Sequence, residues 1–251
     1  MSVGRRRAVG TIALILGLAV LHFILILSAV HAVGTDGDLY YSEQLRADVL
    51  PASGLCDAAL RALDGSMAAY LRGDAAALTP GNPFNVREMA HMADCYDLFA
   101  LLRTVRARLV PWAIVLTLGG AWLLQDRRRI RRCAWLSPLI LLLPLGAFAV
   151  YAMIDFDGAF TLFHRILFRN DLWLLDPATD VLIRICPESM FMRMGVRIAV
   201  YSLLAVIAVC AVVTIATFIW PRGKEDKNTW KTTTRRGPAP KRYDFGKRGT
   251  R

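Results

Sequence analysis

Four long apolar runs dominate the pattern of hydrophobic and polar positions along the chain. Free of charged residues, they extend over Ala8–Val33, Leu109–Gln125, Cys133–Ile154 and Ile198–Trp220. A helix needs about 20 apolar residues to cross the hydrocarbon core of a membrane, and all but the second run reach that length. We expect the second helix to begin upstream of its run, where Arg103, Arg106 and Arg108 can extend their long side chains to the interface.

These runs predict an all-α membrane protein with four transmembrane helices and an extracytoplasmic cap of short amphipathic helices. We expect residues 1–220 to form a single transmembrane domain, followed by a basic tail over 221–251. The expected spans are about 8–33, 105–125, 133–154 and 196–220, with outer loops over 34–104 and 155–195.

The first outer loop is too long to be a simple connection. Between Tyr41 and Leu71 its apolar residues recur near helical spacing, which predicts short amphipathic helices lying on the outer leaflet. Asn85 followed by Glu88 has the spacing of a capping box. We therefore expect a helix to begin at Val86 and to run towards the second span.

Composition and charge favour the membrane class and give an orientation. The chain is 55% hydrophobic, with a mean hydropathy of +0.41. Its net charge of +11 lies in both termini and in the link 126–132, whereas the two outer loops are acidic on balance. The positive-inside rule then places both termini in the cytoplasm, and this alternation argues against a nucleic-acid partner. The tail has too few apolar residues to bury a core, so we expect it to be disordered.

Cysteine positions suggest a covalent link in the cap. Cys56 and Cys95 both lie in the first outer loop, where disulfides can form, and we expect them to pair. The chain has no CxxC or paired Cys/His spacing of the kind that binds zinc, so no metal or cofactor is expected.

The first candidate for chemistry is His91, on the helix expected after Asn85. Arg87, Asp94 and Cys95 share its face at helical spacing. Asp94 can orient the imidazole or raise its pKa, as in many catalytic bases. The same pattern also fits an exposed interfacial helix that carries a salt-bridged histidine.

The second candidate is His164, in the loop segment from Phe160 to Phe191. Aromatic residues surround it in the sequence, and an aromatic belt that anchors the third span would explain them. Such a belt explains Trp173 but not the polar side chains that follow His164. Those polar residues are Asn170, Asp171, Asp176 and Asp180. We take Asn170 as a candidate oxyanion donor and the three carboxylates as candidates to orient an imidazole.

Two motifs resemble a known family. The stretches FNVREMAHMADCYDLF and FHRILFRNDLWLLDPATDVLIRICPESMF, set among four spans, are similar to the bacterial DUF1461 integral membrane proteins, the lipoprotein intramolecular transacylases. The resemblance covers roughly Phe84–Phe191 and the span pattern. It does not cover the first half of the outer loop or the basic tail.

The resemblance implies an activity and a site. Family members move an acyl chain from the S-diacylglyceryl group of a lipoprotein to the α-amine of its N-terminal cysteine, without a cofactor. Two outward-facing histidines serve as the essential pair, and they match His91 and His164. The implied location is the bacterial cytoplasmic membrane, with the active site outside and with diacylglyceryl lipoproteins and membrane lipid as partners of a monomer.

Two other readings remain open on the sequence. The chain could be a non-enzymatic accessory protein that binds lipid or a partner through its outer loops. It could also be a phospholipid or glycolipid acyl hydrolase that uses the same histidines with water as acceptor. The sequence has no GxSxG or HExxH motif, which argues against classical serine hydrolases and zincins.

Overall fold

The computed structural model describes residues 1–219, and these residues form ten helices. In chain order they are α1 Val3–Gly34, α2 Gly37–Arg46, α3 Leu50–Ser53, α4 Asp57–Arg72, α5 Val86–Leu124, α6 Arg127–Leu136, α7 Leu139–Ile154, α8 Phe156–Leu167, α9 Val181–Ile185 and α10 Glu188–Ile219. The predicted all-α class is confirmed. The expected disordered tail lies outside the described residues.

Four helical segments are long and apolar enough to cross a membrane, as predicted. They are α1, α5, α10 and the pair α6–α7, which is interrupted at Pro138. At 39 residues, α5 is about 58 Å long, almost twice the hydrocarbon thickness. Its charged residues lie before Leu109, and the rest of the helix is uncharged. Because charges avoid the hydrocarbon, residues 86–104 project beyond the membrane and carry His91 with them.

Helices α1 and α5 pack tightly against each other along the membrane. A Cβ atom on Gly17 would lie 2.5 Å from the backbone nitrogen of Thr117, and one on Gly120 would lie equally close to that of Leu14. Such contacts are possible only for glycine, and close backbone approach is how helices associate where apolar burial gives no advantage over lipid. This antiparallel seam fixes the height of α5 and of its projecting end.

The short helices α2, α3 and α4 form the cap, together with α9 and the start of α5. Their apolar faces build a common core around Leu60, Met92 and Ile185, which are almost fully buried. The sequence predicted amphipathic helices lying on the leaflet. Instead, they bury their apolar sides against one another, because α4 and α9 offer matching apolar faces.

Ion pairs to a buried carboxylate join the cap to the last membrane helix. The Glu43 carboxylate in α2 is fully buried and is bound by the partly exposed Arg193 and, at 2.8 Å, Arg197 of α10. A buried carboxylate is stable only when it is paired, so these arginines are needed to keep Glu43 inside. The cap is therefore held firmly on the side of the bundle where α1 ends and α10 begins, which we call the cap side.

Candidate active site

The start of α5 is built to hold the loop that follows α8. The Asn85 side chain accepts hydrogen bonds from Arg87 and Glu88, and Glu88 Oε2 accepts one from the Asn85 N–H at 2.8 Å. This is the predicted capping box. The other oxygen of Glu88 accepts a hydrogen bond at 2.6 Å from the N–H of Leu182, at the start of α9. One fully buried carboxylate thus closes its own helix and anchors α9.

Three more hydrogen bonds tie α5 to the α8–α9 loop, residues 168–180. Asn85 Nδ2 donates to Asp180 Oδ1 at 2.7 Å, and Arg87 donates to the Asp171 carbonyl at 2.6 Å. Asn170 Nδ2 donates to Asp94 Oδ2 at 2.9 Å. Because these bonds span the length of the loop, they fix its position over the first turns of α5.

This arrangement brings His91 and His164 together. His91 lies on α5 and His164 in the last turn of α8, and their ring centroids are 6.2 Å apart. Both side chains are buried, with exposures of 8% and 7%. The start of α5 thus packs against the loop after the third span, and this packing places the two rings side by side.

Aromatic rings enclose the imidazole pair. Trp173 stacks on His164 at 4.9 Å between centroids, and Phe160 lies 3.9 Å away on its own helix. Phe168 contacts both imidazoles, at 5.2 Å from His91 and 5.6 Å from His164. The Trp173 indole N–H donates to the Asn170 carbonyl at 2.9 Å, which fixes the ring in the loop. The site is therefore an apolar enclosure with two polar rings inside it.

A backbone carbonyl determines the tautomer of His164. Its Nδ1 lies 2.7 Å from the Phe160 carbonyl, and a carbonyl can only accept, so Nδ1 carries the proton. The neutral ring then has an unprotonated Nε2. That nitrogen is the atom of His164 that is able to take up a proton.

The thiol of Cys95 contacts the Nε2 atom of His91. Its sulfur lies 3.7 Å from His91 Nε2, one helical turn along α5. Burial raises the pKa of Cys95 to about 12, so the thiol keeps its proton and can donate a hydrogen bond to Nε2. In that arrangement the imidazole proton lies on Nδ1, which is buried and has no hydrogen-bond partner among residues 1–219. This tautomer gives His91 an N–H that no group of the described chain accepts.

Burial keeps both imidazoles neutral near pH 7. It lowers the pKa of His91 to about 4, with a further contribution from His164 and an opposing one from Asp94. It also lowers the pKa of His164, and there the Phe160 carbonyl opposes the shift because it favours the protonated ring. The two histidines therefore differ in what favours their imidazolium forms, which is a hydrogen bond to a backbone carbonyl for His164 and the more distant charge of Asp94 for His91.

The candidate carboxylates form hydrogen bonds within and to the α8–α9 loop, and not to an imidazole. Within the described chain, no carboxylate is hydrogen-bonded to either ring. Asp94 binds Asn170, Asp171 offers its carbonyl to Arg87, and Asp176 Oδ1 accepts from the N–H of Ala178. Asp180 accepts from the backbone N–H of Asp176, which is the main reason that its pKa is lowered. Short acidic side chains suit these turn contacts. The hydrogen-bond contacts to the two imidazoles come from the Phe160 carbonyl and the Cys95 thiol, where we had expected carboxylates.

Asn170 also takes part in the hydrogen bonds of this loop. Besides its bond to Asp94, its side-chain oxygen accepts the N–H of Leu172 at 3.1 Å. These two bonds hold the Asn170 amide in the loop, and its role as an oxyanion donor stays a prediction.

The expected disulfide is not formed. Cys56 and Cys95 are both free thiols, Cys56 exposed in the cap and Cys95 half-buried beside His91. Sequence spacing could not reveal that they are apart, because the fold turns α5 so that Cys95 points to the histidine. No group of three or more residues able to hold a metal ion occurs in the part of the chain described here.

Comparisons with known proteins agree with this geometry. The model of the lipoprotein intramolecular transacylase family matches residues 14–191. No curated protein matches the chain. A solved structure of the membrane-integral lipoprotein intramolecular transacylase of Bacillus cereus is 23% identical, with a TM-score of 0.65 over 86% of this chain and 97% of that one.

Two further solved structures are variants of the Bacillus cereus protein in which one histidine is replaced. The arginine variant is 20% identical with a TM-score of 0.66, over 84% of this chain and 92% of that one. The alanine variant is 21% identical with a TM-score of 0.65, over 84% and 94%. These likenesses show a shared fold.

A multi-pass helical membrane protein with an enclosed histidine pair is the class that fold and site define. Because the family model covers most of the chain, the chain belongs to the lipoprotein intramolecular transacylase family. It is therefore an acyltransferase whose substrates are lipoproteins.

Proposed function

We propose that His164 and His91 together move one acyl chain from the S-linked diacylglyceryl group of a lipoprotein to the α-amine of its N-terminal cysteine. The observation that carries this proposal is the complementarity of the two neutral rings. Their centroids are 6.2 Å apart; His164 has an acceptor nitrogen, and the His91 tautomer in which Nε2 accepts from Cys95 has an N–H without a partner in the described chain. Acyl transfer to an amine needs an acceptor for the proton of the amine and a hydrogen-bond donor for the developing oxyanion.

The first step uses the acceptor. An α-amine has a pKa of about 8, so a useful fraction is neutral at physiological pH. The neutral amine attacks the ester carbonyl carbon, and a nitrogen–carbon bond forms. Nε2 of His164 takes the proton that the nitrogen must lose, and the Phe160 carbonyl stabilises the resulting imidazolium through Nδ1.

The second ring stabilises the charge that develops on oxygen. The Nδ1–H of His91 donates to the oxyanion of the tetrahedral intermediate, as a preorganised donor in a water-poor site. The low pKa of His91 keeps its imidazole neutral, so it does not repel the imidazolium that forms on the neighbouring His164. Cys95 supports this role by donating a hydrogen bond to Nε2 of His91, which leaves the ring proton on Nδ1.

The final step releases the glycerol oxygen. The carbon–oxygen bond of the ester breaks, and the His164 imidazolium returns its proton to the leaving alkoxide. One proton thus moves from nitrogen to oxygen, and one ester becomes one amide and one hydroxyl. An amide is more stable than an ester, so the transfer needs neither ATP nor a cofactor. Donor and acceptor belong to one substrate molecule, which gives proximity without a second binding event.

The enclosure supports an intramolecular transfer over hydrolysis. Phe160, Phe168 and Trp173 cover the rings with apolar surface and leave little room for bulk water. Exclusion of water protects an ester from hydrolysis and strengthens the hydrogen bond to the oxyanion. The amine carried by the substrate is then the favoured acceptor.

We also propose that the cap side faces outward from a bacterial cytoplasmic membrane, with both termini in the cytoplasm. The arginines in the first turns of α1 and the arginine-rich start of α6 lie at the ends of the bundle opposite the cap, as the positive-inside rule requires for a cytoplasmic side. Membrane lipid surrounds the exposed apolar faces of the four spans. Each chain contains a complete histidine pair, so a monomer is sufficient.

The test is mass spectrometry of lipoprotein N-termini. Expression in a bacterium with diacylated lipoproteins should convert them to the N-acyl, lyso-glyceryl form, which has the same mass but a different acyl position on fragmentation. Release of free fatty acid with an unmodified amine would show a hydrolase instead. Unaltered lipoproteins in the presence of well-inserted protein would favour an accessory role.

A further inference from the structure

A second cavity lies along the α1–α5 seam, away from the histidine pair. It has a volume of about 340 Å³ and is lined by Ile24, His31, Arg103, Arg106, Ala107 and Val110. The polar members come from the cap end of the seam, and the apolar members lie deeper, along the uncharged part of both helices. The cavity is therefore amphipathic, with its charged end at the level where the membrane surface meets the cap.

The charged end carries positive charge that the protein does not neutralise. Arg106 makes no hydrogen bond or ion pair with another residue of the described chain. Arg103 uses one guanidinium nitrogen to bind the Leu71 carbonyl at 2.6 Å, which leaves its other donors available. Asp74, the carboxylate that acts electrostatically on His31, is itself paired with Arg72 at 2.7 Å.

The imidazole of His31 completes the cluster. Its Nε2 is buried and has no hydrogen-bond partner among the described residues, although Arg103 and Arg106 both act on the ring electrostatically. A buried polar atom without a partner is unfavourable unless a ligand or water supplies one. Two arginines and one imidazole nitrogen thus converge on a space that holds no negative group of the protein.

Another cavity, nearer the cap, has no unpaired arginine among the described residues that line it. It has about 520 Å³ and lies between α1, α2 and α4, but its two arginines are already paired. Arg61 binds Asp38 at 3.3 Å, and Arg72 binds Asp74. That cavity therefore has no spare cation for an anionic ligand.

We propose that the α1–α5 cavity binds the phosphate of an anionic phospholipid from the leaflet on the cap side. Guanidinium groups bind phosphate oxygens through paired hydrogen bonds, and His31 supplies a third contact. Ile24, Ala107 and Val110 offer the apolar wall along which an acyl chain would lie. A free phosphate ion would use the same cations, but it would leave this apolar wall empty.

The site is distinct from the proposed reaction and goes beyond it. Arg103 and Arg106 follow His91 by twelve and fifteen residues on one helix, which is about 18–22 Å at 1.5 Å per residue. The diacylglyceryl anchor of the substrate has no phosphate. The bound lipid would instead hold α1 and α5 together at the point where α5 leaves the membrane and carries His91 upward.

The experiment measures lipid retention by native mass spectrometry on the full-length, delipidated protein in detergent. Phosphatidylglycerol, phosphatidylcholine with the same acyl chains, and inorganic phosphate are titrated separately. The variants are Arg106→Gln and Arg103→Gln, with Arg108→Gln as the matched control. Arg108 lies on the same helix and carries the same charge, but it does not line the cavity.

Wild type and Arg108→Gln are expected to retain one phosphatidylglycerol in preference to phosphatidylcholine. Arg106→Gln should weaken that binding by about tenfold or more, since a hydrogen bond to a charged group has at least that effect on affinity. Arg103→Gln should do the same. If its lost contact to Leu71 prevents folding, Arg106→Gln decides the question alone.

Three outcomes would overturn the proposal. Equal retention of both lipids, or equal binding by Arg106→Gln and wild type, would show that the cavity does not recognise an anionic headgroup. Inorganic phosphate that binds as tightly as phosphatidylglycerol would assign the site to a free anion. Transacylase activity is followed in parallel, so that a failure of lipid binding is distinguishable from a failure of the proposed reaction.

Discussion

Asn170 donates a hydrogen bond of 2.9 Å to Asp94, although 76 positions separate the two residues in the chain. Asp94 lies one turn from His91 on α5, and Asn170 holds the loop that carries Trp173, the ring stacked on His164. The bond therefore couples the element that bears one histidine to the loop that packs on the other. It is exposed, so its effect should be on the position of the loop more than on the stability of the fold.

This relationship predicts a rescue. Asn170→Asp would place two carboxylates against each other, and we expect the transacylation rate to fall about tenfold because like charges push the loop away. Adding Asp94→Asn restores an amide–carboxylate pair with the roles exchanged. The rate of the double variant should return to within about threefold of wild type, as measured on a lipoprotein substrate by mass spectrometry. A double variant as slow as Asn170→Asp would show that the pair does not act as a clamp.

Cys95 is predicted to be a positioning residue for His91. Cys95→Ala removes the donor to Nε2, and we expect kcat to fall about two- to tenfold, the range for one neutral hydrogen bond, with KM little changed. Cys95→Ser retains an O–H donor and should keep most of the rate. Cys186→Ala serves as the control, since Cys186 is a buried cap cysteine without a hydrogen bond to either histidine. An alanine variant with wild-type kcat, or a serine variant no better than alanine, would remove this role.

The depressed pKa of His91 predicts a pH dependence of stability. Between pH 6.5 and about 4 the unfolded chain binds a proton at this histidine while the folded protein does not. The native state therefore loses stability as pH falls through that window, by up to a few kcal/mol. Thermal unfolding of wild type and His91→Gln at pH 7 and pH 5 measures it, and the loss on acidification should be smaller in His91→Gln. Equal losses in both proteins would mean that the buried ring does not titrate as described.

Orientation can be tested with a native cysteine. Cys56 is exposed in the cap, whereas the other four cysteines are half-buried or buried. A membrane-impermeant maleimide applied to intact cells should label wild type once, and Cys56→Ser should remain unlabelled. Labelling of wild type only after the cells are permeabilised would place the cap in the cytoplasm and contradict the proposed topology.

Several elements follow directly from local sequence signals. Uncharged runs of spanning length predict the membrane helices, and Asn85 with Glu88 predicts where α5 begins. These signals are short in range and have direct physical causes in lipid solvation and helix capping. Neither His91 nor His164 lies in a complete site within its own segment, and this favours the proximity of the two rings that the structure shows.

The contacts that define each imidazole could not be predicted in the same way. The partner of His164 is a backbone carbonyl, which every residue has, and only the tight last turn of α8 brings that of Phe160 to 2.7 Å. The spacing of His91 and Cys95 was visible, but a thiol one turn away is usually a small apolar filler. Likewise, the disulfide prediction failed because sequence spacing does not report which way Cys95 faces.

The central claim is that His164 transfers the proton and His91 stabilises the oxyanion. The most direct measurement is single-turnover acyl transfer on a diacylated lipoprotein, followed by fragmentation mass spectrometry, with each histidine replaced by glutamine. We predict that His164→Gln loses about 10²–10⁴-fold in rate, as expected for a general acid–base group. His91→Gln, whose amide can still donate a hydrogen bond, should lose less, and both variants should insert normally. Full activity in the double variant His91→Ala, His164→Ala would contradict the mechanism, and a larger loss in His91→Gln than in His164→Gln would reverse the two roles.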